Sequence, residues 1–188
     1  MVLNKDLPYN YVSLHRLEEL ASFIGDTLYR YYALQEEEDN LIDHEKQQPN
    51  SDFWYSSALG EKLKSINDEC CELVENSIWE SLVDVKGCLE QEQFNDKNFR
   101  LSMGQSHTTE TIASIEFIEM TCKTSEDLYK VKNMMITSDI LETACTFVFQ
   151  IQWHKRMRRR EFEKRRQNKR LRDEQDNEKK DFKKSKSF

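Results

Sequence analysis

Glycine and proline are scarce in this chain, at four and two among 188 residues. So few turn formers argue against a loop-rich α/β enzyme and favour long helices. No run of about 18 apolar residues occurs, so no helical membrane span is expected. Five cysteines (Cys70, Cys71, Cys88, Cys122, Cys145) make an odd set without a CxxC pair. Neither a disulfide framework nor a zinc ribbon follows from them, and the first residues show no secretory leader pattern. Reduced thiols in an intracellular protein are the expectation. No GxGxxG or GxxxxGK[ST] loop is present to cradle a nucleotide phosphate. The histidines His15, His44, His107 and His154 form neither HExxH nor ExxH. These absences leave no catalytic residue, no metal ligand and no cofactor to nominate, and the chain reads as non-enzymatic.

What the chain has in abundance is charge and helical period. Charged residues make up 34% and apolar ones only 37%, the balance of helices solvated along one side. The net charge of −7 conceals two opposed regions. Residues 154–188 hold 16 Lys and Arg against 7 Asp and Glu, a net of +9, which leaves −16 on residues 1–153. An acidic body with a basic tail implies two kinds of partner surface.

After a lead-in over residues 1–12, Ser13 is placed to cap a first helix. Leu14, Leu17, Ala21, Ile24, Leu28 and Tyr31 then recur at alternating steps of three and four, a seam for lengthwise helix packing. Leu20, Phe23 and Tyr32 are expected to widen that stripe. The run Glu36-Glu37-Glu38-Asp39 reads as a solvated face, and Leu41 and Ile42 resume the seam. Pro49 ends the helix, and Ser51 or Asp52 can cap the next. There Leu59, Leu63, Ile66, Cys70, Leu73, Val74, Ile78, Leu82, Val85 and Leu89 predict about 40 helical residues, with Gly60 and Gly87 as weak points. In Cys70-Cys71, one thiol is expected in the core and one at its boundary.

Residues 94–106 look loop-like. Ile112, Ile115, Ile118 and Cys122 favour a helix, although Phe99, Leu101 and Met103 alternate as a strand would. Thr124 and Asp127 resemble a capping box for a last helix, whose stripe would run through Leu128, Val131, Met135, Leu141, Cys145 and Val148. Ile140, Ala144 and Phe149 also read as part of its apolar face. That helix passes without a Gly or Pro into a dense basic segment: Lys155, Arg156, Arg158, Arg159, Arg160, Lys164, Arg165, Arg166, Lys169 and Arg170. Pairs such as Glu161 with Arg165 and Asp176 with Lys180 support it, and from about Asp173 the tail is expected to fray into disorder.

Such a segment suits nucleic-acid phosphates, a nuclear import signal, or an acidic protein surface. At Ile151-Gln152-Trp153-His154-Lys155-Arg156 it resembles the first half of an IQ motif, the calmodulin-binding signature. Gln152 and Arg156 match that motif. Met157 stands where its glycine usually is, and Glu161 at its second basic position, beside Arg160. The resemblance implies an acidic, calmodulin-type partner, with Phe149, Gln152, Trp153, Met157 and Phe162 as anchors. Read from the residues alone, Trp153 is more simply the last core residue of a bundle.

One alternative chemistry exists. Glu36 with Asp39 and Glu69 with Glu72 are i,i+3 pairs that could face each other around Mg²⁺, as in all-α nucleotide pyrophosphohydrolases of the MazG type. A chain with 35 acids also makes such pairs by chance. The expectation is therefore an all-α, elongated bundle or coiled coil of three to four long helices. Its body spans 13–153 and a basic C-terminal helical arm spans 154–188. Its role would be an interaction subunit of a larger intracellular complex, with the nucleus favoured.

Overall fold

The computed structural model describes residues 9–47, 57–90, 105–124 and 134–185, with side-chain surroundings for 14–47, 58–90, 108–122 and 135–174. Of these residues 99% are helical, and no strand occurs among them. Helix α1 is Tyr9–Lys46. Helix α2, Ser57–Glu72, runs through a π-helical segment, Leu73–Trp79, into α3, Glu80–Glu90. Helix α4 is Gln105–Thr124 and α5 is Met134–Ser185. The protein is an all-α helical bundle.

The π segment has a cause in the sequence. Ile66, Cys70, Val74, Ile78 and Leu82 are spaced by four throughout, and all are buried. In a regular α-helix each four-residue step overshoots a full turn by about 40°, so four such steps would carry the stripe to the far side. The wider π turn at Leu73–Trp79 takes up that overshoot and keeps the row facing the core.

One core cluster joins Leu14, Leu17, Ile24 and Leu28 of α1 to Val74, Ile78, Leu82 and Val85, to Ile115 and Ile118 of α4, and to Ile140, Ala144, Phe147 and Ile151 of α5. Each large aliphatic side chain so buried contributes about 1.5–3 kcal/mol. A smaller cluster of Leu34, Ile66 and Cys70 continues the contact between α1 and α2. Charged groups mark the register outside the core. Arg30 donates to Glu69 from both Nε (2.9 Å) and Nη2 (2.6 Å), and Arg16 reaches Asp84 at 3.4 Å, so α1 runs antiparallel to the α2–α3 rod. Half-buried Lys86 donates to Glu119 at 2.7 Å, with Glu90 and Glu116 at 3.8 Å. The Glu119 hydrogen bond, reinforced by these charges, raises the Lys86 pKa.

Several expectations are corrected. Helix α1 begins at Tyr9, so Ser13 lies inside it rather than capping it. Leu20 is buried as expected, but Phe23 and Tyr32 are exposed and do not widen the stripe; Leu34 is buried as well. Gln105 and Ser106, expected in a loop, belong to α4, which covers the whole stretch from Ile112 to Cys122 as helix. Met135 and Cys145 are exposed, because α5 turns Ile136, Ile140, Ala144 and Phe147 inward. Helix α5 persists to Ser185, past Asp173, since no Gly or Pro interrupts it. The expectations for Pro49, Ser51, Asp52, Phe99, Leu101, Met103, Asp127, Leu128 and Val131, and the Asp176–Lys180 side-chain pair, fall outside the described residues. Of Cys70 and Cys71, the first is buried and the second lies at the boundary, as expected.

Candidate nucleic-acid interface

By its internal contacts the chain divides into Met1–Ile151 and Gln152–Phe188. The second unit carries the basic residues, and its helicity follows from its composition. Arg, Lys, Glu and Gln are good helix formers, and i,i+4 pairs support them: Arg159 with Glu163 at 3.4 Å and Glu161 with Arg165 at 3.9 Å. Exposed pairs of this type contribute only about 0.3–0.5 kcal/mol each.

Lys155, Arg156, Arg158, Arg159, Arg160, Lys164, Arg165, Arg166, Lys169 and Arg170 are all exposed. At about 100° per residue they cover most of the helix, leaving an arc of about 100° that holds Met157, Glu161 and Asn168. Arg156, Arg160 and Lys164 share the side of Trp153. Arg158, Arg165 and Lys169 share that of Phe162, and Arg159, Arg166 and Arg170 lie between. The result is a helix with positive charge over most of its circumference.

The proposed anchors do not all converge. Phe149, Trp153 and Met157 follow one another at steps of four along one side of the helix, but Phe162, nine positions or about two and a half turns after Trp153, lies opposite them. Trp153 is 48% exposed and Phe162 and Phe149 are exposed, while Met157 is half-buried and Gln152 exposed. Trp153 is therefore not the last core residue. That inward position is taken by His154, at 2% exposure, which continues the 3/4 series of Ile140, Ala144, Phe147 and Ile151. Ile151, the opening residue of the IQ-like stretch, is itself in the core cluster and unavailable to a partner.

The four carboxylates considered for Mg²⁺ do not form a site. Glu36, Asp39 and Glu72 are exposed, and Glu69 is held by Arg30. Among the described residues no three His, Cys, Asp or Glu side chains gather as metal ligands. No helix among them is long and apolar enough to cross a membrane.

Sequence reasoning missed a second surface feature. Between α4 and α5 lies a cleft of about 430 Å³, lined by Phe117 and Ile118, the hydroxyls of Ser114, Thr143 and Thr146, and the carboxylates Asp139 and Glu142. Thr111, also on its wall, donates to Gln150 at 3.3 Å and ties the two helices together. Phe117 and Met120 lie off the buried stripe of α4, and that was the available signal. No family model, no curated protein and no solved structure matches this chain.

Proposed function

We propose that this protein is a non-enzymatic helical interaction subunit that binds nucleic acid through the phosphate backbone, using the basic segment Lys155–Arg170. The observation that carries this reading is the exposure of ten basic side chains spread over most of a helix's circumference, on the side of Trp153 and on that of Phe162 alike. A groove-type partner grips one face and needs its anchors aligned along it. A polyanion needs only a high density of accessible charge, and its binding is largely independent of sequence. The helical body, with its acidic surface, would hold protein partners. The same basic cluster supports a nuclear location.

The test is fluorescence anisotropy of a labelled oligonucleotide with the full chain. Between about 50 and 200 mM salt, affinity should fall steeply, by about 10³-fold or more if six or more phosphates are contacted. Replacing Arg158, Arg159 and Arg160 together by Ala should weaken binding and reduce the salt slope by about three units. Trp153→Ala should matter little. Weak salt dependence together with loss of binding on Trp153→Ala would overturn the reading in favour of an acidic groove protein, and calcium dependence would then mark a calmodulin-type partner.

A further inference from the structure

The cleft between α4 and α5 has wall chemistry suited to a cation. Asp139 and Glu142 supply two carboxylates, and neither takes part in an ion pair or side-chain hydrogen bond among the described residues. The hydroxyls of Thr143, Thr146 and Ser114 add acceptor oxygens around them. Phe117, 61% exposed, adds an aromatic ring to the wall. Carboxylate, hydroxyl and aromatic ring together are what a guanidinium or ammonium group meets in a cation-binding site. The wall is apolar as well, through Phe117 and Ile118. A cationic helix carrying a few large apolar side chains would complement both features.

We propose that this cleft is a self-association site, filled by the basic segment Lys155–Arg170 of a second copy of this chain. Charge complementarity selects that occupant. Residues 1–153 carry a net of −16 and residues 154–188 a net of +9, so each copy presents both halves of an electrostatic pair. The exposed bases are already arrayed on a helix, so little ordering is needed before they dock. Exposed Phe162 supplies an apolar side chain for the wall at Phe117 and Ile118. The contact is heterologous, acidic cleft to basic segment. Two copies that reciprocate it close into a dimer, and copies that do not reciprocate form a chain. The inference does not depend on nucleic-acid binding, since it concerns the protein alone.

Sedimentation velocity of the full chain at low salt, without nucleic acid, tests it. The wild type should show concentration-dependent association that recedes as salt is raised. Asp139→Asn with Glu142→Gln should weaken association on the order of tenfold or more, and so should Arg158→Ala, Arg159→Ala and Arg160→Ala together. The decisive arm is a charge swap. Asp139→Lys with Glu142→Lys, and separately Arg158→Glu with Arg159→Glu and Arg160→Glu, should each be monomeric alone and should associate when mixed. All these positions are exposed or half-buried, and circular dichroism verifies that the variants keep their helicity. A wild type that stays monomeric at every concentration, association indifferent to these substitutions, or mixing that fails to restore it would overturn the proposal.

Discussion

Replacing Gly25 by alanine is expected to stabilise the protein. Gly25 sits within α1, on the side that meets α5, and a Cβ built there lies 3.6 Å from Val148 Cγ1. That is an ordinary van der Waals distance, so nothing has to move to admit the methyl group. Glycine in a helix interior is about 0.8–1.0 kcal/mol less favourable than alanine. For a domain of this size, 1 kcal/mol corresponds to about 2–4 °C in the melting midpoint. Gly60 in α2 and Gly87 in α3 have no atom within 4 Å of an added Cβ, so they isolate the helix-propensity gain from any contact. The three sites lie on separate helices, and their effects should add to about 6–12 °C in the triple variant. Gly25→Leu is the opposite control. Its side chain must extend past Cβ into Val148, and overpacking costs about 1–3 kcal/mol. Thermal melts followed by far-UV circular dichroism read all five variants. A lower midpoint for Gly25→Ala, alongside higher ones for Gly60→Ala and Gly87→Ala, would mean that α1 and α5 approach more closely than the geometry at Gly25 allows.

Two further outcomes follow from which side of α5 faces inward. Phe147→Ala should destabilise by about 3–5 kcal/mol, because Phe147 is almost fully buried, whereas Phe149→Ala should stay within about 0.5 kcal/mol, because Phe149 is exposed; denaturant titration giving equal costs would refute that orientation. Burial pushes the thiols of Cys70, Cys88 and Cys122 up, while Cys145 is exposed beside the Tyr32 hydroxyl. Alkylation of the folded protein, mapped by mass spectrometry, should therefore label Cys145 ahead of those three, and uniform labelling would contradict the packing.

The seam of α1 was legible because only one series of apolar residues fits it. Leu14, Leu17, Ala21, Ile24 and Leu28 step by three and four, and they are the residues the bundle buries. The row from Ile66 to Leu82 was equally legible, and its unbroken steps of four even encode the π segment. Helix α5 was harder, because two series compete there. Leu141, Cys145 and Val148 step by four and three, but so do Ile140, Ala144, Phe147, Ile151 and His154. Apolarity alone prefers Trp153 to His154 as the next buried residue. Packing with α1 and α4 fixes the face at Ile140 and Phe147, and His154 follows them at the same 3/4 spacing and is buried. The cleft depends on which two helices become neighbours, and one sequence does not determine that. Its residues therefore looked unremarkable: two acids among 35, and a Phe off the stripe.

The basic segment was the plainest feature of the sequence, and what geometry adds is the disposition of its charges. An amphipathic basic helix would have spent its apolar face on one groove. Here Trp153 and Phe162 oppose each other, and arginine surrounds both. Such a rod gains most from a ligand whose charge also extends in several directions, as phosphates along a nucleic-acid strand do. The acidic cleft of a second copy competes for the same Arg158–Arg160 cluster, and a guanidinium held by Asp139 and Glu142 is withdrawn from phosphate. Both contacts are screened by salt, but they differ in valence. The cleft offers two carboxylates, whereas a strand offers a phosphate at every nucleotide. If both proposals hold, self-association should be the weaker state and nucleic acid the stronger competitor, so copies paired when no polyanion is present should come apart as a strand is added.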